Sequence, residues 1–164
     1  MTKYKLLIEY DGTDFVGWQK QNNGSSIQES IEKAIYKLTS EKTTVYCAGR
    51  TDAGVHAIGQ VAHFELEKNF TVDSVRDGVN QHLRPLPIAI LKATYTNNEF
   101  HSRFSAKKRT YEYKIVNRRA PLAIDKKRVW NVFKKLDLKK MQNESKFFMG
   151  KHDFAAFRSI DCQS

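Results

Sequence analysis

Ser26-Ile-Gln-Glu-Ser-Ile-Glu-Lys-Ala-Ile-Tyr-Lys-Leu38 is the stretch that decides the fold. Ser26 with Glu29 three positions on has the spacing of a capping box, in which the serine hydroxyl takes up an otherwise orphaned N–H of the first helical turn. Ile27, Ile31, Ala34, Ile35 and Leu38 then recur at steps of three and four, which places them on one helical face. An amphipathic helix is therefore expected here, and its neighbours read as strands. Upstream, residues 4–10 alternate, with Leu6, Ile8 and Tyr10 on one side. Asp11-Gly12-Thr13 ends that strand and opens a loop over 11–24. Downstream, residues 45–48 make a short apolar strand. Residues 49–59 form a loop hinged on Gly49, Gly54 and Gly59, and residues 61–66 alternate through Ala62, Phe64 and Leu66.

The same grammar continues. Thr71 caps a second helix that turns Val72, Val75, Val79 and Leu83 inward, Pro85 and Pro87 end it, and residues 88–95 form a fourth strand. The order β-α-β-β-α-β over residues 1–96 is that of the ferredoxin-like split βαβ unit, an α+β fold with an antiparallel sheet and both helices on one face. A further strand is expected over 109–116, with Tyr111, Tyr113 and Ile115 on one side. A helix is expected over 138–149, capped by Asp137 and stopped at Gly150. Residues 97–164 are read as the start of a second, similar domain whose closing strands are missing.

Bulk properties narrow the function. The 164 residues are 40% hydrophobic and include 10 Phe and 7 Tyr, a globular composition. No apolar run is long enough for a bilayer, and residues 1–11 carry no signal-peptide core, so a cytoplasmic protein is expected. Cys47 and Cys162 give no disulfide framework. The net charge of +10 is unevenly spread: residues 1–82 hold 9 Lys and Arg against 11 Asp and Glu, leaving 19 against 7 for the remainder. Clusters such as Lys107-Lys108-Arg109 and Lys126-Lys127-Arg128 alternate with apolar residues, so they belong to folded elements. A one-sided basic surface suits a polyanion, because phosphate contacts release counterions.

Several chemistries are excluded by motif. Gly12 and Gly17 have phosphate-loop spacing, but Trp18 stands where lysine is required. There is no dinucleotide fingerprint and no nucleophile elbow. The five His and two Cys lack zinc-ligand spacing, so no metal site is expected, and His56 and His63 read as structural or polar-contact residues. Ala48-Gly-Arg-Thr-Asp-Ala-Gly-Val-His56 is the most informative loop, with an arginine and a carboxylate two positions apart at a strand end. By composition alone it reads first as a polar turn in which Asp52 bonds its own backbone and second as a catalytic loop.

Four ordered blocks reverse that order. Gly49-Arg-Thr-Asp-Ala-Gly-Val-His-Ala57 with Gly59-Gln-Val-Ala-His-Phe64 resembles the signature of the TruA-type tRNA pseudouridine synthases. So do Glu9-Tyr-Asp-Gly-Thr13 with Phe15-Val-Gly-Trp-Gln19, Phe100-His-Ser-Arg-Phe-Ser-Ala106 with Arg109-Thr-Tyr-Glu-Tyr113, and Gly150-Lys-His-Asp-Phe154 with Phe157-Arg158. The resemblance spans essentially the whole chain. It implies isomerisation of uridine to pseudouridine at positions 38, 39 and 40 of the tRNA anticodon stem-loop, without a cofactor, by a homodimer. It implies Asp52 as the catalytic aspartate, Tyr111 as the aromatic that packs on the uracil, and Arg50 as the arginine that assists nucleotide flipping. Arg103, Lys107 and Lys108 are candidate RNA-backbone contacts. The family also has a later Phe-x-Tyr-Asn-Met-Val-Arg-like segment whose arginine pairs with the catalytic aspartate, and no such segment occurs here.

The chemistry suits these residue types. Rejoining the base through carbon needs no redox step, only a carboxylate as nucleophile or base and a uridine turned out of its stack. Two other readings are a non-catalytic RNA-binding module and an inactive relative that keeps the fold. Ferredoxin-like sheets often bind single-stranded RNA, but residues 60–66 lack the aromatic-rich pattern of such modules.

Overall fold

Ser26 caps the first helix as its spacing requires. Its hydroxyl accepts from the Glu29 N–H at 3.2 Å, and α1 runs Ile27–Thr39 with Ile27, Ile31, Ala34 and Ile35 buried. The computed structural model describes residues 1–157; Arg158 and Cys162 lie outside the described residues. Two compact units divide the chain, Met1–Glu112 and a second from Tyr113 onward.

In the first unit, β1 (Thr2–Tyr10), β2 (Tyr46–Cys47), β3 (Ala57–Leu66) and β4 (Ile88–Tyr95) form one antiparallel sheet in the order β2-β3-β1-β4. Each helix connects two strands that are parallel to each other and separated by one strand of the other unit, which is the split βαβ topology expected from sequence. The second helix, α2 (Val72–Leu83), begins at Thr71, whose hydroxyl accepts from the Ser74 N–H at 3.1 Å. Tyr4, Leu6, Ile8 and Tyr10 of β1 join Phe64 and Leu66 of β3 and the apolar stripes of α1 and α2 in one core. Burying a side chain of the size of Ile31 contributes roughly 1.5–3 kcal/mol.

Two boundaries differ from the sequence reading. The strand expected over 45–48 is only Tyr46–Cys47, because the Val45 N–H donates to the Glu32 carboxylate of α1 at 3.0 Å rather than to a ladder partner. The loop expected over 49–59 ends earlier, since β3 starts at Ala57. Ala57 and Gln60 pair with Tyr10 and Ile8 across an irregularity in register, and this brings Gly59 inside the strand.

The opposite face of β1 carries Lys3, Lys5 and Leu7, and the segment after β4 folds back over it. Lys3 Nζ donates to the carbonyls of Asn98 at 2.7 Å and Phe100 at 3.2 Å and pairs with Glu65 at 3.0 Å, which is how a lysine tolerates burial to 9% exposure. His63 pins the same segment. Its Nδ1 accepts from the Ser102 N–H at 3.2 Å and lies 2.9 Å from the Ser102 hydroxyl, which donates to the Tyr46 carbonyl at 2.7 Å.

The second unit contains β5 (Ile115–Asn117) and β6 (Trp130–Val132), a parallel pair, and α3 (Leu138–Ser145). Asp137 caps α3 through the Lys140 N–H at 3.1 Å, as expected. The helix expected to reach 149 stops at Ser145 and tightens into a 3-10 turn, Lys146–Phe148, ahead of Gly150 at φ +102°. The strand expected over 109–116 shrinks to Ile115–Asn117. The partner strand offers only three residues, so nothing in that ladder receives the backbone of 109–114. None of the described residues of this unit is buried, and Phe147, Phe148, Phe154 and Phe157 all remain exposed.

Burial, with His101 and Lys3 nearby, pushes the His63 imidazole down to about 4 from its ordinary value near 6.5. The unfolded chain then binds more protons than the folded one between these values, so stability falls as pH drops from about 6.5 to about 4. Chemical denaturation across that window should show a shallower fall for His63→Gln than for wild type. Equal slopes would contradict the assignment.

Candidate active site

Asp52 stands in the bend between β2 and β3, and the loop after β1 holds that bend by its backbone. The Trp18 N–H donates to the Thr51 carbonyl at 2.9 Å, the Gly54 N–H donates to the Phe15 carbonyl at 3.3 Å, and the Tyr10 hydroxyl meets the Thr51 hydroxyl at 2.8 Å. His56 Nδ1 lies 3.0 Å from the Asp11 carboxylate and 3.1 Å from the Gly12 amide nitrogen. Two glycines allow this approach. A Cβ on Gly12 would overlap the Val55 carbonyl oxygen, and one on Gly17, which sits at φ +113°, would stand 2.6 Å from the Thr51 carbonyl oxygen. Trp18 is 2% exposed and ties the same loop to the core through Tyr10, at a ring-centroid separation of 6.1 Å.

The result is a rigid support for an exposed carboxylate. The Asp52 carbonyl accepts from the Val55 N–H at 3.2 Å, which closes the turn. The Asp52 side chain has no hydrogen-bond or ion-pair partner among the described residues, so the polar turn in which the carboxylate bonds its own backbone is not the one formed. Arg50 is exposed as well and makes no ion pair with Asp52. Cys47, just before the bend, is no competing nucleophile: burial pushes its thiol up to about 11, so it stays protonated at neutral pH. Among the described residues no three His, Cys, Asp or Glu side chains form a group that could hold a metal ion.

Arg109 brings the other sequence candidates to the bend. Its Nε and Nη2 donate to the Ala48 carbonyl at 2.9 and 2.7 Å, and Nη2 donates also to the Arg103 carbonyl at 3.0 Å. This fork fixes residues 103–111 against the end of β2. The Tyr111 hydroxyl then lies 3.7 Å from where a Cβ of Gly49 would be, with its ring 69% exposed. Tyr111 is thus an open aromatic beside the bend rather than a core strand residue. The Arg103 guanidinium lies against the Phe104 ring at 5.9 Å, and Lys107 and Lys108 line a cavity of about 450 Å³ whose rim includes Ala48. Asp52 lines neither this cavity nor the one of about 700 Å³ beside His63.

Sequence reasoning did not assign roles to Arg109, Gly12, Gly17 or Trp18. The two glycines were visible as a pair and were tested only as a phosphate loop; nothing in one sequence pairs them with a bend some 35 positions on.

Residues 6–105 match the family model described as tRNA pseudouridine synthase. Curated relatives named tRNA pseudouridine synthase A include one from Wolbachia pipientis wMel, 53% identical over 99% of this chain and 66% of its own length. Another from Maricaulis maris is 48% identical over 100% of this chain and 66% of its own length, and one from Ehrlichia chaffeensis is 53% identical over 99% of this chain and 66% of its own. The chain therefore spans 66% of the length of these relatives. With a matching family model over most of its residues and with its fold and loop arrangement as described, the chain belongs to the tRNA pseudouridine synthase family.

Proposed function

We propose that this protein isomerises uridine to pseudouridine in tRNA, at positions 38, 39 and 40 of the anticodon stem-loop, with Asp52 as the catalytic carboxylate. The observation that carries the reading is an exposed Asp52 carboxylate, unpartnered among the described residues, on a bend braced by the loop after β1, with the Tyr111 ring open beside it. The reaction breaks the bond from ribose C1′ to N1 and makes one from C1′ to C5. The C5 proton leaves and N1 gains one, so atoms and electrons balance without a redox partner. What the protein supplies is a carboxylate beside the ribose and base, a flat surface for the everted ring and a brake on its return. Turning the uridine out opposes binding by a few kcal/mol, and stacking on an aromatic returns roughly 1–3 kcal/mol. Tyr111 is assigned that stacking and Arg50 the flipping. Arg103, Lys107 and Lys108 are assigned phosphate contacts.

The wider expectations, some from the family resemblance and some from the sequence pattern itself, belong to the same proposal. They are no cofactor, a homodimer, a cytoplasmic location, a ferredoxin-like domain over 1–96 and the start of a second domain over 97–164. No helix among the described residues is long and apolar enough to cross a membrane. The open apolar side chains from Tyr113 onward, Trp130 and Phe147 among them, accord with a unit that packs further chain.

Tritium release from tRNA labelled at uridine C5 tests the chemistry. Asp52→Ala and Asp52→Asn should each lower the rate by at least about a thousandfold, of the order set by loss of one essential charged group, with RNA affinity near wild type. Release surviving in Asp52→Ala removes Asp52 from the mechanism, and wild-type binding without release favours the RNA-binding module. Gly12→Ala tests the brace. The added methyl has no room against the Val55 carbonyl, so the unfolding free energy should drop by about 1–3 kcal/mol, with faster exchange of the Trp18 and Gly54 amides. Wild-type protection at both amides would show that the loops do not depend on the glycine.

A further inference from the structure

The cavity of about 450 Å³ lies between the helix-free face of the sheet and the segment after β4, entirely within the first unit. Its polar lining is one-sided. Lys5 of β1, Lys92 of β4, and Lys107 and Lys108 of the returning segment all face it, and no Asp or Glu lines it. None of the four ammonium groups is paired with a carboxylate among the described residues. The nearest ring, Phe100, sits under Lys5 Nζ at 5.6 Å and does not neutralise it. Thr94 Oγ1 is enclosed here without a hydrogen-bond partner. Four like charges with a spare hydroxyl around one hollow repel one another, and an anion with several acceptor oxygens relieves that repulsion.

We propose that this hollow is a second RNA contact, taking phosphodiesters of the substrate strand on Lys5, Lys92, Lys107 and Lys108. The inference rests on the reading of the protein as a tRNA-modifying enzyme and deepens it, because it adds two sheet residues, Lys5 and Lys92, that no family motif assigned. The hollow lies near the catalytic bend. Ala48 lines it and is four residues before Asp52, so their Cα atoms are no more than about 14 Å apart. Phosphates seated here hold the strand that leads to the everted nucleotide, which raises binding without entering the chemical step. The anchors Arg109 to Ala48 and His63 to Ser102 fix the roof of the hollow, so the lysines of the segment stand opposite those of the sheet.

The test is the salt dependence of binding to an unmodified anticodon stem-loop RNA. It uses wild type, the double variant Lys5→Gln with Lys92→Gln, the single variant Lys92→Glu at an exposed position of β4, and Lys37→Gln on α1 as control. Each lost phosphate contact lowers the slope of log affinity against log salt by about 0.7–0.9. The double variant should therefore lose between about one and two units of slope and bind roughly tenfold more weakly at 0.1 M salt. KM should rise and kcat stay put. Lys92→Glu should weaken binding in the same sense, and Lys37→Gln should match wild type. Slopes and affinities equal to wild type in both cavity variants overturn the site. So does inorganic phosphate binding that the variants abolish while RNA binding is unchanged, which would give the hollow to a small anion. Lysine-dependent RNA binding by a wild type that releases no tritium would leave the hollow in place and sink the isomerase reading instead.

Discussion

The backbone contact between the loop after β1 and the bend after β2 is the constraint on which the rest depends. A catalytic carboxylate on a long loop would sample many positions, and each ångström of misplacement lowers the rate. Here the Thr51 carbonyl is held by Trp18 on one side of Asp52 and Gly54 is held by Phe15 on the other. The contact is possible only because Gly12 and Gly17 lack side chains, and it is stiff because Trp18 is anchored in the core. The loop between the first strand and helix thus reaches the core through Trp18 and also sets the place of a group some 35 residues downstream.

A second tie, from Arg109 to the Ala48 carbonyl, brings an aromatic to that same bend. It uses a bidentate guanidinium where the strand end leaves a carbonyl free, a geometry that suits arginine's rigid fork. The two ties divide the work. One fixes the carboxylate, and the other fixes the segment that bears Tyr111 and the lysines around the sheet-face hollow.

The elements legible in sequence were those whose cause is local. The Ser26 and Thr71 caps, the helical stripes and the alternation of β1 act over a few residues, and all form as read. The segment 109–114 has equally good alternation and is not a strand, because a strand also needs a partner and β6 ends after three residues. Val45 left its strand for a side chain on α1, which no alternation pattern encodes. In the candidate site, Asp52, Arg50 and Tyr111 are candidates through family-like blocks, whereas Arg109 and the glycine pair act across tens of residues through backbone groups common to every amino acid. Lys5 alternates with the apolar face of β1, and its use depends on what lies over the opposite face.

The most direct measurement is a structure of Asp52→Asn, in the full length its relatives have, bound to an unmodified anticodon stem-loop. The account predicts the target uridine out of its stack, the side chain at position 52 in contact with its ribose and base, and the Tyr111 ring against the uracil. A uridine still stacked in the stem, or everted into a site that position 52 does not reach, would contradict it.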